Sequence, residues 1–92
     1  MATGTVKSGW KSVQSVTLPF TPTSDGFLLV NVNPSSSATA LYYITEDGNA
    51  FLNVVASSGV RATESAPVQR GKAYANSYSS NISRVSIKFY QL

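Results

Sequence analysis

The chain has 92 residues, enough for one small domain, and contains neither histidine nor cysteine. That excludes disulfide stapling, metal or iron–sulfur ligation through Cys or His, and acid–base chemistry built on imidazole. The net charge of +3 comes from seven basic residues, Lys7, Lys11, Arg61, Arg70, Lys72, Arg84 and Lys88, scattered without the dense run expected of a phosphate-binding stripe. The expectation is therefore no nucleic-acid partner.

Only four carboxylates are present, Asp25, Glu46, Asp47 and Glu64. Asp25 and the Glu46-Asp47 pair are the only places to begin a calcium or magnesium site, and two carboxylates fall short of the ~6 to 8 oxygens calcium takes. No metal and no cofactor are expected. The serines gather in Ser35-Ser36-Ser37, Ser57-Ser58 and Ser79-Ser80, which read as loops rather than as nucleophile motifs. An enzyme is not expected. Met1 to Trp10 lacks the apolar stretch of a signal peptide, and no segment approaches the ~20 apolar residues of a membrane span, so neither export nor a membrane partner is expected.

In chain order, short apolar runs alternate with Gly, Pro, Ser and Asn at spacings that suit strands and are too short for helices. Residues 1–10 form a polar, Gly-containing arm ending in the single Trp, and residues 11–92 a single domain. A first strand is predicted over Ser12 to Leu18, closed by Pro19-Phe20-Thr21-Pro22-Thr23, where each Pro lacks a ladder N–H. Ser24-Asp25-Gly26 is a turn. Phe27 to Asn33 and Thr39 to Thr45 are the second and third strands. Glu46-Asp47-Gly48-Asn49 is the strongest local signal, because Asp-Gly accepts the positive φ angles of a tight hairpin leading into a fourth strand, Ala50 to Ala56.

After Ser57-Ser58-Gly59 a weaker strand is predicted over Val60 to Ser65, followed by a turn centred on Gly71 within Pro67-Val68-Gln69-Arg70-Gly71-Lys72. Ala73 to Tyr78 is the sixth strand, and Ser79-Ser80-Asn81 a loop. The final run, Arg84 to Leu92, alternates with Val85, Ile87 and Phe89 on one face and Ser86, Lys88 and Tyr90 on the other. Seven or eight short strands without a helix argue for an all-β, antiparallel two-sheet sandwich of jelly-roll type.

The middle strands, Phe27-Leu28-Leu29-Val30, Leu41-Tyr42-Tyr43-Ile44 and Phe51-Leu52 with Val54-Val55, are apolar on both faces, whereas a sandwich buries only one. At roughly 25 cal/mol per Å², covering the second face stabilises a small domain by several kcal/mol. A homo-oligomer is therefore expected, with Leu29, Leu41 and Tyr43 as candidate interface residues.

Four stretches, Leu18-Pro19-Phe20-Thr21-Pro22-Thr23-Ser24-Asp25-Gly26-Phe27, the Asp47-Gly48 hairpin, Pro67-Val68-Gln69-Arg70-Gly71-Lys72 and the terminal Ile82 to Tyr90, together resemble the small β-rich modules of tailed-bacteriophage virion proteins. The resemblance covers most of residues 16–92 and rests chiefly on turn chemistry. It implies a jelly-roll virion module, commonly trimeric, at a tail or head fibre tip or decorating the capsid. Its partners would be itself, other virion proteins and a host-surface glycan, and its location the virion after assembly in the host cytoplasm. Residues 1–10 read equally as an anchor that orders on docking and as a flexible, frayed terminus.

Two other classes remain open on the residues. One is a carbohydrate-binding module using aromatics beside Ser/Asn-rich loops, with Trp10, Tyr74 and Tyr78 as the candidate ligand contacts. The other is a single-strand-binding barrel, which usually carries an inserted helix that is not visible in the sequence.

Overall fold

The computed structural model describes residues 12–92. Its seven strands are β1 (Ser12–Val16), β2 (Gly26–Pro34), β3 (Ala40–Glu46), β4 (Asn49–Ala56), β5 (Ala62–Val68), β6 (Tyr74–Ser80) and β7 (Ile82–Gln91). They form two antiparallel sheets, a four-stranded sheet A in the order β1-β7-β2-β5 and a three-stranded sheet B in the order β4-β3-β6. The all-β sandwich expected from the strand spacing is what the chain adopts.

The order is that of a jelly roll with one strand reduced to a single residue. Phe20, in the connection from β1 to β2, forms an isolated antiparallel bridge with Tyr74, its N–H donating to the Tyr74 carbonyl at 2.8 Å and its carbonyl accepting from the Tyr74 N–H at 2.9 Å. Taking Phe20 as the second of eight strand positions, the pairs nest, first with last (β1 and β7), second with seventh (Phe20 and β6), third with sixth (β2 and β5), fourth with fifth (β3 and β4). The two prolines flanking Phe20, at 19 and 22, are why this strand does not extend, since neither can donate to a ladder.

Burial follows strand parity. β2 alternates without a break, with Leu28, Val30 and Val32 inside and Phe27, Leu29 and Asn31 half-buried outside. In β3, Tyr42 and Ile44 point inward and Leu41 and Tyr43 outward, and in β7 Ile87 and Phe89 complete the core from sheet A. Phe20 packs against Phe89 with ring centroids 5.2 Å apart and planes tilted by 58°, which closes the core under the shortened strand.

Three boundaries depart from the residue-level reading. β1 stops at Val16 rather than Leu18, because the chain leaves sheet A there to bring Phe20 to β6. β5 begins at Ala62 and runs through Pro67, since Val60 is spent in a turn, its N–H bonded to the Ser57 carbonyl at 3.0 Å; Pro67 is tolerated because β5 is an edge strand. Ser79 and Ser80 are not loop. They extend β6, and the chain changes sheet at Asn81 alone, which takes φ of 56° and donates from its amide to the Thr39 carbonyl at 3.0 Å.

The hairpin between β3 and β4 turns on Asp47 and Gly48, with φ of 50° and 84°, the double positive φ of a type I′ turn. A Cβ at Gly48 would meet no atom within 4 Å, so the constraint is backbone conformation and not space. Gly48→Val should therefore lower the folding free energy by about 1–3 kcal/mol, read as a lower melting temperature, with Gly48→Asn largely tolerated. Equal losses in both variants would assign the effect to something other than φ.

Candidate functional site

Tyr74 and Tyr78, two of the aromatic residues singled out in the sequence, are not brought together. Trp10 lies outside the described residues. Tyr74 opens β6 and is fully buried, which corrects its assignment as a loop-borne ligand contact. Its hydroxyl donates to Glu46 Oε2 at 2.6 Å and accepts from the Gln69 N–H at 2.8 Å, and its ring meets Phe51 edge-on at 5.1 Å. A tyrosine whose hydroxyl returns to the backbone a few residues upstream is the corner device of Greek-key sandwiches, here spanning the connection from β5 to β6. Burial first, then the Glu46 hydrogen bond, pushes the Tyr74 hydroxyl up to about 12 from its ordinary value near 10, against a smaller opposing effect of the Gln69 N–H. Tyr42, inside the sandwich, is also raised by burial.

Tyr78 is exposed at 51%, in mid-strand rather than in a loop. It stands opposite Tyr43 on the outer face of sheet B, with ring centroids 5.6 Å apart and planes tilted by 40°. A bulge in β6 beside this pair is closed by Asn76, whose amide donates to the Tyr43 carbonyl at 3.0 Å and the Tyr78 carbonyl at 2.9 Å.

The three expected interface residues also divide. Leu41 and Tyr43 share the outer face of sheet B, but Leu29 lies on the outer face of sheet A, so no single surface holds all three. The two outer faces differ in charge. On sheet A, Lys88 sits directly opposite Leu29 and Arg84 opposite Asn33. On sheet B the three strands carry one charged residue, Glu46, whose carboxylate is occupied by Tyr74. Cross-strand rows Leu41 with Val55 and Ser80, and Tyr43 with Asn53 and Tyr78, thus make a charge-free apolar surface on which Val55 is 48% exposed. Val55 stood out in the sequence only as part of an apolar run, and Asn53 not at all. Their alternation in β4 becomes informative only once the register against β3 is known.

At the end of the sandwich where the termini of β2 and β5 meet, the Asp25 carboxylate accepts from the Arg70 N–H at 2.8 Å, and the Gly71 N–H donates to the Pro22 carbonyl at 3.0 Å. Thr23, Ser24, Asp25 and Arg70 line a shallow, polar cleft of about 360 Å³. Nearby, Asp47 Oδ1 accepts from the Ala73 N–H at 2.8 Å and Oδ2 pairs with Lys72 at 3.5 Å, an exposed pair that contributes little to stability. These carboxylates tie loops together. Among the described residues no three or more of His, Cys, Asp and Glu gather as a metal site would require.

No protein-family model, curated protein sequence or solved structure matches this chain. The site is accordingly defined by its own geometry, which offers an apolar, neutral sheet face bearing a tyrosine pair.

The folded protein holds the Tyr74 proton to about pH 12 whereas an unfolded tyrosine loses it near 10, so the stability this group contributes is present below pH 10 and lost as pH rises through 12. Tyr74→Phe should lower stability by about 1–3 kcal/mol at neutral pH, by leaving the Gln69 N–H and Glu46 without their partner. It should also flatten the fall in melting temperature between pH 10 and 12. An unchanged alkaline profile in the variant would remove Tyr74 as its source.

Proposed function

We propose that this chain is a non-enzymatic structural module of a bacteriophage particle that assembles with copies of itself and with neighbouring virion proteins through the outer face of sheet B. The observation that carries the assembly reading is the contrast between the two outer faces. The face of sheet A carries Lys88 and Arg84, so packing it against its copy would oppose like charges, whereas the rows built on Leu41 and Tyr43 bear no charge and expose apolar side chains. The resemblance of the turn segments to phage virion modules supplies the particle, and the jelly-roll strand order fits the fold that resemblance implies.

A second reading keeps a specific observation in its favour. The exposed Tyr78 beside Tyr43, with Asn53 next in the row, offers ring faces together with an amide, a combination suited to a neutral sugar. Under that reading host attachment would use the sheet face and not the loops.

Leu41→Lys and Tyr43→Lys should each dissociate the assembled protein by placing a charge without a partner in a covered face, whereas Leu29→Lys, on the already basic face of sheet A, should leave the native mass unchanged. Native mass spectrometry and light scattering read the outcome, with melting temperature confirming that each variant folds. A wild type that stays monomeric at high micromolar concentration overturns assembly, and loss of glycan binding on Tyr78→Ala in such a monomer would establish the sugar reading instead.

A further inference from the structure

The shortened second strand leaves a place in sheet B. In the nested pairing of the fold this strand should run beside β6, yet among the described residues Phe20 bridges only Tyr74, and β6 from Ala75 to Ser80 is the edge of its sheet. Above it, β1 pairs with β7 only from Ile87 to Gln91, so among the described residues nothing pairs with the rest of β7 on that side of sheet A. Edge strands in soluble proteins are ordinarily blunted by charge or proline, as β5 is by Glu64 and Pro67. β6, Tyr-Ala-Asn-Ser-Tyr-Ser-Ser, has neither, and its one irregularity is the bulge at Asn76 and Ser77.

We propose that a second copy of this chain fills that place, its β6 pairing antiparallel with β6 across a two-fold axis at Tyr78. This rests on the self-assembly reading above and adds to its face contact a contact along the edge of the same sheet. The sheet would continue through the axis as β4-β3-β6-β6-β3-β4. Three observations select this occupant. A strand added beside β6 supplies the position the fold leaves short. The cross-strand row of Asn53, Tyr43 and Tyr78 ends at a half-exposed ring, and a two-fold at Tyr78 sets that ring beside its own copy, turning one tyrosine pair into a row of four. The edge has no charge, so identical copies of a chain with net charge +3 meet there without local repulsion. An isologous contact of this kind closes on itself as a dimer, or builds assemblies of dimers, where the virion resemblance implied trimers.

The absence of cysteine makes the contact directly testable. Residues facing each other in an antiparallel pair have Cα atoms about 4.5–5.5 Å apart, inside the range a disulfide spans. Tyr78→Cys should form a disulfide-linked dimer under mild oxidation faster than Thr63→Cys on edge strand β5 by roughly tenfold or more, because association raises the effective thiol concentration. Tyr78→Cys also removes the ring that forms the contact, so a second arm keeps it. Mixed Ser77→Cys and Ser79→Cys chains should cross-link with each other in preference to themselves, as the register about Tyr78 requires. A wild type whose native mass is that of an oligomer, but in which neither arm cross-links above the Thr63→Cys rate, overturns the edge contact and leaves self-assembly standing. A wild type with a strictly trimeric mass also overturns the two-fold, and a monomeric wild type overturns both.

Discussion

The hydroxyl of Tyr74 is the point at which this fold is tied. Four segments converge on one residue: Phe20 through its backbone, Glu46 at the end of β3, Phe51 in β4, and Gln69 immediately after β5. A buried phenol must have its hydrogen bonds satisfied, and here it donates to a carboxylate and accepts from a backbone N–H, so the polar end of a core side chain organises the rim of the sandwich instead of weakening it. The same residue provides the only pairing the second strand position retains, so the closing of the jelly roll and the packing of its lower end share one anchor.

The division of charge between the two outer faces follows from where this anchored fold places ordinary strands. Sheet A receives β7, whose outward positions include Lys88 and Arg84, and sheet B receives three strands whose outward positions are neutral. A small domain has little interior to spare, and leaving Leu41, Tyr43, Val55 and Tyr78 against water forgoes stabilisation that association would recover. The asymmetry therefore gives the molecule one charged outer face and one neutral face that exposes apolar side chains.

Much of the strand pattern was legible because its signals are local. The Asp47-Gly48 turn, the breaks at Ser35-Ser36-Ser37 and at Ser57-Ser58-Gly59, and the alternation of Val85, Ile87 and Phe89 depend on φ preferences and on a period of two, both of which act within a few residues. The misreadings share a cause as well. Ser79 and Ser80 read as loop because serine is polar, but they lie on an exposed edge where polarity carries no penalty, and Asn81 alone turns the chain. Val60 read as strand because it is β-branched, but its backbone is committed to the Ser57 turn.

By itself the sequence determined the class of fold, the chemistry it cannot perform through imidazole or thiol, and in the last strand which residues share a side. Tertiary structure alone decided which sides of different strands form one surface. Leu29 and Leu41 are equivalent by parity and composition, yet they end on opposite faces of the molecule, because β2 pairs with β5 and β7 while β3 pairs with β4 and β6. Tyr74 and Tyr78 are four apart in one strand, and one became the buried anchor while the other stayed in solvent, because the Asn76 bulge shifts parity between them and Phe20 and Phe51 cover only the first. Alternation is a property of one strand, whereas a surface is set by pairing between segments far apart in the chain, and no local pattern specifies that pairing.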